Sequence, residues 1–183
     1  DYPMNYNKDQ KCTRTDRGLK GISLGDQTIA VYGDISSSTP AYTYLSKRAF
    51  RAKPGETLTP AVQYKGIWMH SYVYVDLNNN GRFEPKVEAG QIVPDAGNEL
   101  MAYSFLSASD ENSGFNSAGT EISGNGRNTL SMPAFTLPDT LQHGFYRMRY
   151  KVDWNSSDAG GSIETNNHII NNGGGAMDIR LNV

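Results

Sequence analysis

Apolar and polar side chains alternate in step over much of this chain. In GIWMHSYVYVDL (residues 66–77) Ile67, Met69, Val73 and Val75 fall on one face, and Trp68, His70, Tyr72, Tyr74 and Asp76 on the other, because successive side chains of a strand point to opposite sides. Both faces are bulky, so the run is either a central strand covered on two sides or a strand that displays an aromatic platform. NELMAYSFL alternates in the same way, as does GFYRMRYKVDW, where Tyr146, Met148, Tyr150, Val152 and Trp154 oppose Arg147, Arg149 and Lys151. AMDIRLNV repeats the pattern with Met177, Ile179, Leu181 and Val183 inward and Asp178, Arg180 and Asn182 outward.

Earlier in the chain LKGISL and QTIAVYGD flank Gly25-Asp26, a dipeptide suited to a hairpin turn. AYTYLSKRAFRA, the Pro54-Gly55-Glu56 turn and TLTPAVQY follow. Roughly eight to ten strands, regular turn signals and no amphipathic helix predict an all-β fold, an antiparallel β-sandwich of jelly-roll-like form, with a closed barrel as the alternative. Residues 1–16 lack periodicity and read as an N-terminal arm or linker, leaving 17–183 as one sandwich domain. Two long polar loops, Ser107 to Asn128 and Asn155 to Gly175, interrupt the strands; loops of that length are either functional or mobile insertions.

Composition narrows the function. A chain of 183 residues buries about two-thirds of its unfolded surface, enough for one core. A net charge of -2 and a pI near 5.9 give no reason to expect nucleic acid or an anionic membrane. No apolar run approaches the ~18 residues of a membrane span. Cys12 is the single cysteine, which excludes an internal disulfide framework and a thiolate zinc cluster. With 11 Tyr and 19 Gly among many Asn, Ser and Thr residues, the balance is that of an exported β module, and an extracellular or cell-surface location is expected.

Three constellations carry chemistry. Asp76, Asn78, Asn80, the Arg82 carbonyl and Glu84 occupy positions 1, 3, 5, 7 and 9 of a calcium-type loop, with Gly81 at the sharp turn. The glutamate that should close such a loop is one residue late, at Glu88. The competing reading is a metal-free turn in which Asn and Gly accept positive φ. Trp68, His70, Tyr72 and Tyr74, with Trp154, are candidates for stacking on sugar rings; the competing reading is a second buried face. Catalysis has little to draw on: three histidines (His70, His143, His168), no nucleophile or zinc motif, and a set of carboxylates (Asp153, Asp158, Glu164, Asp178) from which a glycosidase pair could be drawn. Arg147, Arg149 and Lys151 read as a basic row on an edge or solvent face, with Asp178 as a partner for pairing.

At YVYVDLNNNGRFE, FYRMRYKVDW and GGAMDIRLNV the chain resembles the GEVED-type β-sandwich domains of secreted bacterial surface proteins. There a strand leads into an acidic, amide-rich, Gly-containing loop, a later strand carries Arg-Met-Arg, and Gly-Glu-Val-Glu-Asp precedes a last strand. Arg147-Met148-Arg149 is the most specific match. The closing motif is Gly174-Gly175-Ala176-Met177-Asp178 here, without the two glutamates. The resemblance implies a non-catalytic extracellular accessory module, working beside other domains of a glycan-processing or adhesion system, with carbohydrate the expected ligand. The alternatives are a structural or protein-interaction domain, stiffened by calcium, and a glycoside hydrolase.

Overall fold

The computed structural model describes residues 2, 11–12, 14–89, 91–104, 113–154 and 173–183, with backbone alone at 125 and 127. The described residues form fourteen strands: β1 (Gly18–Leu24), β2 (Gln27–Ala30), β3 (Tyr42–Arg51), β4 (Thr57–Leu58), β5 (Pro60–Lys65), β6 (Met69–Val75), β7 (Val87–Glu88), β8 (Gln91–Ile92), β9 (Leu100–Tyr103), β10 (Ser113–Phe115), β11 (Glu121–Ser123), β12 (Phe135–Thr136), β13 (Phe145–Trp154) and β14 (Gly175–Asn182). A 3-10 turn spans Gly124–Asn128. The protein is an all-β sandwich. A five-stranded sheet in the order β3-β14-β13-β6-β9 packs on a three-stranded sheet in the order β2-β1-β5, and the short β12–β4 pair adds to the same core. No helix among the described residues is long and apolar enough to cross a membrane.

The register explains how the alternating runs share one core. Val75 and Val73 of β6 lie opposite Met148 and Tyr150 of β13, which lie opposite Ile179 and Met177 of β14. That apolar face meets Leu19, Ile22, Leu24 and Ile29 of the smaller sheet. The Tyr150 hydroxyl, buried with its ring, donates a 2.7 Å hydrogen bond to the Ser23 carbonyl and so ties the two sheets. They approach closely at the start of β14, where a Cβ on Gly175 would lie 3.0 Å from the Leu19 nitrogen. Gly25, at φ +60°, makes the expected two-residue turn between Leu24 and its partner Gln27.

Several elements depart from the pattern reading. β2 stops at Ala30 because the next two amides, of Val31 and Tyr32, converge on the Lys20 carbonyl. β3 runs parallel to β14, and its register jumps from Leu45–Ile179 to Ala49–Arg180, bulging out residues 46–48. Alternation fixes which face a side chain takes, but is silent on strand direction. The row Arg147, Arg149 and Lys151 is not at an edge: β13 is the central strand of the large sheet, and Arg149 and Lys151 are fully buried.

The outer face of that sheet is covered in part by the segment between β6 and β9. Phe83 packs against Tyr72, Tyr74, Leu100 and Tyr103, with Tyr2 alongside. In the stretch read as an arm or linker, Tyr2 thus contacts the fold, and Cys12 donates its backbone N–H to the Thr39 carbonyl at 2.9 Å.

Candidate functional site

The aromatic side of β6 is not a platform. β6 starts at Met69, and His70, Tyr72 and Tyr74 are fully buried. Tyr72 stacks between His70 and Tyr74 along the strand, and Lys151 Nζ lies 5.5 Å from its ring centre. The cause is β6's place beside β13, with Phe83 and Tyr103 laid over it, so these rings form a second core rather than a ligand surface. Three of the five sequence-selected ligand residues are therefore inaccessible to a glycan.

Beside these rings, the outer face holds a buried ion-pair centre. Cross-strand register sets Arg149 opposite Asp178. Arg149 donates from Nε to Asp178 Oδ1 at 2.6 Å and from Nη2 to Oδ2 at 2.9 Å, a bidentate pair. Arg147 adds a bond to Oδ2 at 3.0 Å, and the Tyr42 hydroxyl another at 2.8 Å. Burial and the Asp178 charge push the Tyr42 hydroxyl well above its usual range. Burial alone would lower Arg149, but Asp178 outweighs it and holds the guanidinium charged. Arg147 is clasped between the Tyr44 ring at 3.7 Å and the Tyr2 ring at 4.2 Å. Of the carboxylates considered for a glycosidase pair, Asp178 is thus neutralised by arginine and Asp153 is fully buried on β13. Asp158 and Glu164, like His168, lie outside the described residues.

The Asp76 loop is wound around two buried carboxylates. Asp76 Oδ1 accepts the Asn80 N–H at 3.2 Å, and Oδ2 accepts the Gly81 N–H at 2.9 Å and the Tyr2 hydroxyl at 2.7 Å. Asn78 and Asn80 each use Oδ1 to accept a backbone N–H two residues on, and both point Nδ2 at Glu84 Oε2. Asn79 at φ +55° and Gly81 at φ +90° supply the left-handed turns. The residue that closes the loop is not Glu88, which sits exposed on the β7–β8 hairpin. It is Glu99, which accepts the N–H groups of Leu77 and Glu84, both at 2.9 Å. Burial raises Glu99 to about 7; the Asp76 charge adds to the rise, while the backbone donors oppose it. No group of three or more His, Cys, Asp or Glu among the described residues is placed to hold a metal.

Trp68 and Trp154 meet a different fate from the three buried rings. Trp68 precedes β6 with φ +60°, in the left-handed region a bulky residue rarely takes. Its N–H bonds Asn128 Oδ1 at 3.2 Å. Trp154 ends β13 opposite Met69, and the Arg17 guanidinium lies 3.8 Å from its ring centre. Both indoles are half-buried, and Ile67 beside them is 63% exposed. Ser104, just after β9, donates its N–H to the Ser71 carbonyl, so β9 and β13 both terminate at this end of the sheet. Away from it, a concavity of about 650 Å³ between β9 and β12 is lined by Leu77, Met101, Phe135, Asp95 and Asp139.

Sequence reasoning missed Glu99 and Tyr2, since neither lies near the loop in sequence; the only local signal for Glu99 is a charged residue placed just before an alternating strand. A family model described as the GEVED domain matches residues 70–175, more than half of the chain. The match contains the Asp76 loop, the Arg147-Met148-Arg149 run and the Gly174-Gly175 pair. None of the curated proteins matches the chain.

Proposed function

We propose, from the premise that the chain belongs to the GEVED domain family, that it is a non-catalytic extracellular module that binds carbohydrate for a bacterial cell-surface glycan-processing or adhesion system. The observation that carries this reading is Trp68. A left-handed backbone at a tryptophan costs on the order of 1–3 kcal/mol, and Trp68 takes it at a half-buried position just before β6, at the sheet end shared with Trp154 and the exposed Ile67. Indole faces suit the apolar faces of sugar rings, and Arg17 beside Trp154 offers donors to hydroxyl or carboxylate groups. Titration calorimetry against a panel of neutral oligosaccharides tests the reading. Trp68→Ala and Trp154→Ala should each weaken binding by roughly tenfold or more. Binding that survives both substitutions, or no binding across the panel, would end it.

A second reading is a structural or protein-interaction domain stiffened by calcium, favoured by the paired buried carboxylates Asp76 and Glu99. Calcium would draw on Asp76, Asn78, Asn80, Glu84 and Glu99, a set of hard oxygen donors of the kind it prefers. The expected outcome is a rise in Tm of several degrees on adding millimolar calcium after chelator treatment, lost in Asp76→Asn. An unchanged Tm removes the metal and leaves the loop as a hydrogen-bonded turn.

A further inference from the structure

We propose that the open corner of the large sheet's outer face, built from β3, β14 and the start of β13, is a second binding surface, for acidic saccharides bearing carboxylate or sulfate groups. The covered part of that face ends at Arg147, which is held between the Tyr2 and Tyr44 rings and is 17% exposed. Beyond it, register places Arg147 opposite Arg180, and Arg180 opposite Ala49 at the β3 bulge, so Arg147, Arg180 and the bulge residues Lys47 and Arg48 follow one another across three strands. Lys47, Arg48 and Arg51 are exposed, and none of the ion pairs among the described residues involves them or Arg180. Arg147 and Arg149 both pair with the carboxylate of Asp178.

The aromatic residues of this corner point the same way. Among the described residues, three large hydrophobic side chains are markedly exposed, and two of them are here: Tyr44 under Arg147 at 3.7 Å, and Phe145 under Arg180 at 4.8 Å. Each ring braces a guanidinium in a fixed plane, the arrangement that presents paired N–H donors to a carboxylate or sulfate. A net charge of -2 gives no general reason to expect nucleic acid, and the choice of an anionic sugar among anions rests on the carbohydrate reading proposed above. Exposed cations and a bulge on an edge strand also serve to deter strand addition. At Arg51, however, Gln27 already does this, accepting the backbone N–H at 2.8 Å and donating to the carbonyl at 2.9 Å. Arg48 and Arg51 line a cleft of about 450 Å³ with Gln27 and Thr28; Asp26, also in its wall, is the acid that moderates it.

The corner is distinct from the Trp68–Trp154 end, since Phe145 and Trp154 stand at opposite ends of the ten-residue β13, about 30 Å apart. The test is calorimetric titration of the whole chain with a sulfated oligosaccharide, a polyuronate oligosaccharide, a neutral glucan and single-stranded DNA, at low and physiological salt. Binding to one or both acidic saccharides is expected, weakening as salt rises and falling by roughly tenfold or more in the Arg48→Ser/Arg180→Ser double variant. Both substituted residues reach solvent, and an unchanged Tm in the double variant shows that any loss is one of binding. The proposal is overturned if neither acidic saccharide binds at low salt, if the double variant binds as well as the parent, or if DNA binds more tightly than both saccharides.

Discussion

Asp178→Ala is expected to destabilise the protein by about 3 to 5 kcal/mol and to lower Tm by roughly 6 to 20 °C in a chain of this size. The carboxylate is fully buried and accepts bonds from Arg149, Arg147 and Tyr42. Its removal leaves the Arg149 guanidinium in a dry site without its counter-charge, and a buried cation deprived of its partner costs more than the pair contributed. Asp178→Asn keeps the shape and one acceptor, so it should fall between parent and alanine. Replacing both partners, Asp178→Leu with Arg149→Met, should recover part of the loss, because the desolvation of both charges disappears together. Urea unfolding at neutral pH measures all three. A loss below about 1 kcal/mol for the alanine variant would mean that the centre is wet, with the charge of an ordinary surface pair.

Stability should also fall as pH rises from about 4.5 to about 7. Glu99 is raised to about 7 in the folded chain, whereas in the unfolded chain it titrates near 4.3. Below the lower value both states hold the proton, and the contribution of Glu99 is at its most favourable. Between the two values the unfolded chain has released a proton that the folded chain keeps; each further pH unit then favours unfolding until the folded group ionises as well. The span corresponds to at most about 4 kcal/mol. Asp16, Asp34, Glu84 and Asp95 act in the opposite sense, being held low by side-chain hydrogen bonds from Arg14, Lys65, Asn78 and Lys86 respectively. Their contribution is lost only below the carboxylate range, so a stability maximum near pH 5 is expected. Denaturation midpoints in calcium-free buffer from pH 4 to pH 8 read this out. Glu99→Gln should flatten the decline, and a midpoint that stays level or rises toward pH 8 would contradict the assignment.

What the sequence revealed and what it hid follow one rule. Alternation made the inward faces of β6, β13 and β14 legible, and the Gly25-Asp26 turn and the final strand with them, because each depends on neighbours in the chain. It did not tell whether the opposite face was wet. Tyr72, Tyr74, Arg149 and Lys151 face away from the first core, and only the return of Phe83 and Tyr2 over part of that face separates a platform from a second core. The Asp76 loop was recognisable from its spacing. Its partner Glu99 was not, since the Val75–Glu99 backbone bond that brings it in belongs to long-range pairing. Trp68 was misplaced on the strand face because period-two counting assumes a backbone that continues, and at φ +60° it does not.

The placement of β14 between β3 and β13 bears on how the chain acquires its structure. Among the described strands β14 comes last in sequence, yet it occupies an interior slot, parallel to β3 and antiparallel to β13. As the chain is synthesised, both neighbours must wait with open edges until this last strand arrives, and the carboxylate of Asp178 arrives with it to neutralise Arg149. The large sheet therefore closes only after translation has passed β14. So high a sequence separation between paired strands puts the domain among slow folders, on the order of milliseconds to seconds, with its aggregation-prone interval set by how soon that strand docks.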